Sequence, residues 1–167
     1  MIFVTVGASR FQFDRLMQAV GALPAGEEIV VQCGPSAVRP ERATCVDFMA
    51  QDTLVEHIRR ARVVVTHGGI GTIMVALANG KRPIVVPRQS RHGETVDDHQ
   101  VESVRRLESA GLVVLVEDPS DLPAAIESDP ARAGPAAGSP SRLAEDVGAY
   151  IRGVVEGRTR SAPPTNT

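Results

Sequence analysis

The chain has 167 residues, 43% of them hydrophobic, and a formal net charge of -2 at pH 7. This balance is typical of a soluble globular protein with one core. It excludes a disordered chain and a protein that binds nucleic acid through a strongly basic surface. Aromatic residues make up 3% of the chain, too few for a platform on which bases or sugar rings stack.

Short apolar runs rich in Val and Ile alternate with helical patterns from the start of the chain. The runs predict strands at residues 2–6, 28–33, 43–49, 63–66, 83–86 and 112–116. Helices are predicted at 13–23, at 53–61 after an N-cap at Asp52, from the GGIGT loop to Asn79, and at 96–110 with a Thr95 and Asp98 capping box. Apolar strands that alternate with helices predict a Rossmann-like doubly wound α/β domain, in which a parallel sheet is covered on both faces.

The composition changes towards the carboxyl end of the chain. We expect a Rossmann-like domain at residues 1–127, a Pro/Gly/Ala-rich linker at 128–142, a helix at 143–157 and a disordered tail at 158–167. The helix has one apolar face, which either packs on the domain or docks on a partner.

The first residues and the cysteines indicate a cytoplasmic protein. MIFVTVGASR starts a predicted strand at once and lacks the basic region and long apolar run of a signal peptide. Cys33 and Cys45 are too few for a disulfide framework and form no CxxC pair, so we expect reduced, structural cysteines.

The sequence VVVTHGGIGT joins a buried strand to a glycine-rich helix start. In a doubly wound sheet, the loops at the carboxyl ends of the strands line the ligand crevice. Gly68, Gly69 and Gly71 would let the backbone approach phosphate oxygens, while the helix dipole and the Thr72 hydroxyl stabilise their charge. The alternative is a tight turn that needs glycine for its dihedral angles alone.

A second polar loop, HGETVDDHQ, follows the next predicted strand and therefore lies at the same edge of the sheet. His99 and Gln100, in the first turn of a helix, suit hydrogen bonds to sugar hydroxyls. The acidic residues of this loop are equally consistent with solvated groups at a helix start. A third loop, VGASR, follows the first strand, and its Ser9 could donate to a phosphate.

The histidines do not indicate a metal site. His67, His92 and His99 show no HxxxH or CxxC spacing that would support bound zinc, so we expect no metal. The sequence also lacks the GxSxG elbow of a Ser-His-Asp hydrolase.

The motif HGGIGT, the strand that ends in VPR and the motif HGETVDDHQ together resemble the nucleotide-sugar-binding C-terminal half of glycosyltransferase family 28. Within that family the chain is most similar to single-domain bacterial exopolysaccharide subunits of the PssE type. It also looks like the eukaryotic subunit that adds the second GlcNAc to a dolichol-linked precursor. The resemblance covers about residues 1–116 and implies one half of a GT-B fold that binds a UDP-sugar without a metal or another cofactor.

The resemblance implies a set of UDP-sugar-binding residues: Gly7, Ser9, Phe48, Met49, His67, Gly68, Gly69, Gly71, Thr72, Arg88, Asp98, His99 and Gln100. Within this set, the first loop and the glycine-rich loop lie on the phosphate side, the residues at 48–49 meet the uracil, and those at 98–100 hold the donor sugar. Val75 stands where many members have an acidic residue that binds ribose, which leaves ribose recognition open. The catalytic base is not identified; His92 and Glu94 are candidates.

A GT-B enzyme has two Rossmann-like domains, and this chain is long enough for one. Half a cleft cannot exclude water or align an acceptor hydroxyl. The resemblance therefore implies the donor-binding, catalytic subunit of a two-component inverting glycosyltransferase. Its acceptor would be linked to polyprenyl diphosphate and held by a membrane-anchored subunit of the PssD type at the cytosolic face. The alternative is a non-catalytic nucleotide-sugar sensor or scaffold that regulates polysaccharide synthesis.

Overall fold

The computed structural model of the chain describes residues 1–128, and the predicted linker beyond Ser128, the helix at 143–157 and the tail at 158–167 lie outside the described residues. The described part contains one six-stranded sheet, in which all neighbouring strands are parallel and the order is β3-β2-β1-β4-β5-β6. Its strands are β1 (Ile2–Thr5), β2 (Ile29–Gln32), β3 (Thr44–Val46), β4 (Val63–Thr66), β5 (Ile84–Val85) and β6 (Val114–Leu115). This order confirms the doubly wound prediction.

The three central strands are buried along their whole length, which is why their sequences show no polar alternation. Their last residues are polar and lie in register: Thr5 pairs with Gln32 on one side and with Thr66 on the other. A row of polar groups thus marks the carboxyl edge of the sheet at β1 and β4, the two strands from which the strand order runs outwards in opposite directions.

Five α-helices pack around the sheet: α1 (Asp14–Gly21), α2 (Gln51–Arg60), α3 (Ile70–Ala78), α4 (His99–Ser109) and α5 (Leu122–Glu127). One core contains α1 and α5 residues against β1, β2 and β4, for example Leu16, Met17, Leu122, Val4 and Val65. The other contains α2 and α3 residues against alternate strand positions, for example Ile58, Ala76, Phe3 and Val64. The sheet is therefore covered on both faces, as predicted. No helix within residues 1–128 is long and apolar enough to cross a membrane.

Two predicted helix starts are wrong. Helix α2 begins two residues earlier than expected, with Ala50 at the N-cap and Asp52 in the first turn. Helix α4 begins at His99 rather than at residue 96, and Asp98 makes no side-chain cap. The carboxylate of Asp98 instead accepts hydrogen bonds from the backbone N–H and the hydroxyl of Ser90, at 2.8 and 2.9 Å. A partner from earlier in the same loop has thus replaced the predicted capping box.

Two of the short elements that the sequence patterns missed complete the loop after β5 and the core. A single turn of 3-10 helix, Ser90–His92, interrupts the loop between β5 and α4. The helix α5, with buried Leu122 and Ile126, follows the last strand and closes the α1 side of the core. Both are shorter than two full turns, too short for a periodic apolar pattern.

Candidate functional site

Three loops meet at the carboxyl edge of the sheet, where doubly wound domains bind their ligands. They follow β1, β4 and β5, which are neighbours in the order β1-β4-β5. The loop after β4 is the shortest, because only residues 67–69 separate that strand from α3.

The ring of His67 lies between two glycines from different loops. A Cβ atom at Gly7 or at Gly69 would overlap this ring, so neither position has room for a side chain. Gly7 also has a φ of 70°, in the left-handed region. Glycine is therefore required at both positions because the His67 ring, rather than a ligand, fills the space that a side chain would need. The ring also connects the loop after β1 to the loop after β4.

His67 is neutral at physiological pH. Burial, and then the positive charge of Arg88, lower its pKa to about 4. Its backbone N–H donates to the carbonyl of Thr5 at 3.3 Å, and its Nδ1 lies 3.4 Å from the hydroxyl of Thr66. The ring therefore offers a neutral hydrogen-bonding group to this edge and does not balance a negative charge.

The start of α3 is open. Gly69 occupies the N-cap position without a side-chain hydrogen bond, and a Cβ atom at Gly71 would meet nothing within 4 Å. Half-buried Thr72 lies in the same first turn. The free N–H groups of this turn and the helix dipole favour an anion here.

Gln100 approaches the glycine-rich loop from the first turn of α4. A Cβ atom at Gly68 would lie 3.0 Å from the Cβ atom of Gln100 and 3.1 Å from its Oε1. This Oε1 is buried and has no hydrogen-bond partner among residues 1–128. A buried acceptor without a donor is costly, so a ligand that donates a hydrogen bond to it would gain affinity.

Asp98 and His99 lie beside this contact and are exposed. The two hydrogen bonds from Ser90 lower the pKa of Asp98, which keeps its carboxylate charged. The N–H of His99 donates to the carboxylate of Asp97 at 3.2 Å. Asp98 thus ties the loop after β5 to the start of α4, and the ring of His99 has room for a ligand.

Arg88 does not face the cleft. Its side chain is fully buried, and its guanidinium donates to backbone carbonyls of the loops after β1 and β5. Burial lowers its pKa to about 10, so it remains a cation at neutral pH. This placement corrects the expectation that Arg88 contacts the sugar nucleotide directly.

The two candidates for the catalytic base have different surroundings. Glu94 is 4% exposed, and its carboxylate accepts from Nε and Nη2 of Arg15, both at 2.9 Å, and from the N–H of Gln89 at 3.1 Å. Its two oxygens already accept three hydrogen bonds, so little of the carboxylate is open to a substrate. His92 is exposed and lines an open cleft of about 550 Å³ together with Arg10. Of the two, His92 is the more accessible.

The remaining predicted residues lie on the loops after β1 and β3. Phe48 is 62% exposed, and half-buried Met49 packs on the α2 side of the core. The hydroxyl of Ser9 accepts a hydrogen bond from the N–H of Phe11 at 3.2 Å. Phe48 therefore offers a free aromatic surface, whereas Ser9 is partly used to shape its own loop.

Two polar residues that support the first loop were not predicted from the sequence. The hydroxyl of Thr5 donates to Oε1 of Gln32 at 2.6 Å and accepts from the N–H of Gly7 at 3.2 Å. The sequence signal for these residues is that the apolar runs of β1 and β2 each end in a polar residue. Among residues 1–128, no group of three or more His, Cys, Asp or Glu side chains is placed to hold a metal ion.

The sheet order and the loops at its carboxyl edge define the described part of the chain as one half of a GT-B fold. The chain belongs to glycosyltransferase family 28: the model of the family's C-terminal domain matches residues 1–133.

Individual relatives agree with this assignment. The human UDP-N-acetylglucosamine transferase subunit ALG13 is 29% identical over 123 residues, an alignment that covers 66% of this chain and 10% of the human protein. The calicheamicin glycosyltransferase CalG4 superposes with a TM-score of 0.57 and 18% identity, over 92% of this chain and 43% of CalG4. MurG of Acinetobacter baumannii gives a TM-score of 0.51 and 19% identity, over 75% and 40%. The chain thus spans about a tenth of the human relative and less than half of each solved enzyme, whose likeness concerns the fold alone.

Proposed function

We propose that this chain is the donor-binding subunit of a two-component inverting glycosyltransferase that uses a UDP-sugar. The human relative is by name a subunit of a UDP-N-acetylglucosamine transferase, which makes UDP-N-acetylglucosamine the first donor to test. The acceptor is a sugar linked to polyprenyl diphosphate, and a membrane-anchored partner of the PssD type presents it at the cytosolic face.

The observation that carries this proposal is the contact between the two predicted ligand loops. Gln100 lies against Gly68, and its buried Oε1 lacks a donor among residues 1–128. Hydroxyl groups of a sugar are donors of the required kind. The first turn of α3 follows this loop directly, is open at Gly71, and offers a place for the diphosphate.

The arrangement suits the departure of UDP. In an inverting displacement the acceptor oxygen bonds to the anomeric carbon while the bond from that carbon to the UDP oxygen breaks. Negative charge then grows on the diphosphate, where N–H groups of the first turn of α3 stabilise it. The acceptor hydroxyl must lose a proton to a base. Since the Glu94 carboxylate is engaged by Arg15, we assign that base to the partner side of the cleft or to His92.

The test is a titration of the full-length chain with UDP and UDP-N-acetylglucosamine, followed by an assay of transfer with the partner subunit. We expect weak binding by the chain alone, shifts of amide signals in residues 67–72 and 98–100, and transfer only when the partner is present. Gly21→Ala is the control, because a Cβ atom there would lie 3.9 Å from the nearest atoms, those of Pro40. Absence of binding with the partner present would refute the proposal.

A non-catalytic nucleotide-sugar sensor is the second candidate. The engaged carboxylate of Glu94 favours it, because both oxygens of this candidate base already accept hydrogen bonds from the protein. Gln100→Leu separates the two functions: an enzyme complex would lose turnover, whereas a sensor would lose only the effect of the ligand on partner binding.

A further inference from the structure

A buried arginine connects two of the loops at the candidate site. The Nη1 atom of Arg88 donates to the carbonyls of Phe11 and Gln12, both at 3.0 Å, and to that of Glu94 at 3.2 Å. Its Nη2 atom donates to the carbonyl of Val6 at 3.1 Å. One guanidinium thus satisfies four backbone acceptors.

These acceptors lie in loops that follow two strands which are not neighbours in the sheet. Val6, Phe11 and Gln12 follow β1, whereas Glu94 follows β5, and β4 lies between them in the sheet. No backbone ladder can fix the loop after β1 against the loop after β5, because the two strands share no hydrogen bonds. Arg88 supplies that connection through its side chain.

Aromatic and ionic contacts fix the orientation of the guanidinium. Its carbon lies 4.6 Å from the ring centre of Phe13, at a distance where a cation is attracted to the ring. Arg15 lies 5.5 Å from the same ring centre and pairs with the carboxylate of Glu94. Glu94 is therefore held twice, by its carbonyl on Arg88 and by its carboxylate on Arg15.

We propose that Arg88 is a positioning residue that orders residues 7–12 against residues 89–94 and thereby shapes the phosphate side of the donor site without touching the donor. The ordering of the loop stands on the contacts above, and its effect on the donor rests on the proposed function. Arginine suits the task because its planar group offers five fixed donors, whereas a lysine has three donors on one rotating nitrogen.

Arg88→Lys is the test, and Arg82→Lys is the matched control. Arg82 lies before the start of the same strand, β5, and its Nη2 donates to the carbonyl of Val113 at 3.3 Å. Two readouts are measured on the full chain: amide hydrogen exchange of residues 7–12, and dissociation constants for UDP and for uridine. For Arg88→Lys we expect exchange roughly tenfold faster, UDP binding about tenfold weaker, and uridine binding changed by less than about twofold. Arg82→Lys changes none of these by more than about twofold.

The two readouts separate the inference from the proposed function. If the unmodified chain binds no UDP, the proposed function fails, while the exchange experiment still decides whether Arg88 orders the loop. Unchanged exchange and unchanged UDP binding in Arg88→Lys would overturn the inference, and so would equal losses for UDP and uridine. If Arg88→Lys does not fold, Phe13→Leu removes the ring under the guanidinium and should give a smaller change in the same direction. Failure of both variants to fold would also overturn it, because Arg88 would then stabilise the whole core rather than order one loop.

Discussion

Gln100 lies against Gly68, although 32 residues separate them and they belong to different loops: a Cβ atom at Gly68 would be 3.0 Å from the Cβ atom of Gln100. The contact exists because β4 and β5 are parallel neighbours, which brings the loops that follow them to the same edge. Within residues 1–128, the buried acceptor oxygen of this glutamine has no hydrogen-bond partner. The proposed contact with the ligand and a local cost in stability thus involve the same atom.

Replacement of Gln100 by Leu should therefore separate stability from recognition. The free energy of unfolding should stay equal or rise by about 1 kcal/mol, because an unpaired buried acceptor costs about 1–3 kcal/mol. Turnover of the UDP-sugar should fall roughly 10- to 100-fold, while UDP affinity stays within about twofold. Urea unfolding and calorimetric titration measure these quantities. Exposed Gln18 on α1 provides the control substitution Gln18→Leu, which should leave both unchanged.

The glycines of the same loop should respond differently to alanine. Gly69→Ala pushes a methyl group into the ring of His67 and should cost about 1–3 kcal/mol of stability. Gly71→Ala meets no atom within 4 Å and lies in a helix, so it should stabilise the fold by up to about 1 kcal/mol. The same methyl should weaken UDP binding about tenfold, or about 1.4 kcal/mol, because it would occupy the proposed phosphate position. Tighter UDP binding by Gly71→Ala would place the diphosphate elsewhere.

The sequence allowed prediction of features that follow from local pattern and from general rules of parallel sheets. Uninterrupted runs such as VVVT identify strands buried on both faces. Once the strands are assigned, the rule that ligands bind at their carboxyl ends brings the loops of Gly68 and Gln100 together. The doubly wound class and the two covered faces were predictable on this basis.

Long-range polar contacts were not predictable in this way. Three of the four carbonyl partners of Arg88 lie 76 to 82 residues away, and a lone arginine after a proline looks the same whether it faces a ligand or a core. Likewise, the pattern HGG does not indicate that the ring of His67 occupies the space above Gly7 and Gly69. Asp98 has the spacing of a cap, but Ser90 engages its carboxylate.

The Arg15–Glu94 ion pair should contribute more to stability than a surface pair. Its side chains are 21% and 5% exposed, and removal of one partner leaves a charge that is poorly solvated. Glu94→Gln and Arg15→Gln should each cost about 2–4 kcal/mol, and the double variant should cost less than their sum by about 1–3 kcal/mol. The exposed Arg60–Glu56 pair is the control and should couple by less than about 1 kcal/mol. Additive losses at Arg15 and Glu94 would contradict the prediction.

The buried ring of His67 should make stability depend on pH in a defined window. Its folded pKa of about 4 lies below the ordinary value of about 6.5, so the unfolded chain takes up a proton first as the pH falls. Stability from the neutral ring is complete above about pH 6.5 and is lost as the pH falls towards 4. Between pH 6.5 and 5 the loss should be about 2 kcal/mol.

Urea unfolding at half-unit steps of pH tests this window in the unmodified chain and in His67→Gln, which cannot be protonated there. The variant should lose the slope between pH 6.5 and 5 while keeping any slope below about pH 4, where carboxylates such as Glu27, with a pKa of about 2, take up protons only in the unfolded chain. His92→Gln, at an exposed position, should retain the full slope of the unmodified chain. If His67→Gln kept that slope as well, the neutral histidine between Gly7 and Gly69 would not be its source.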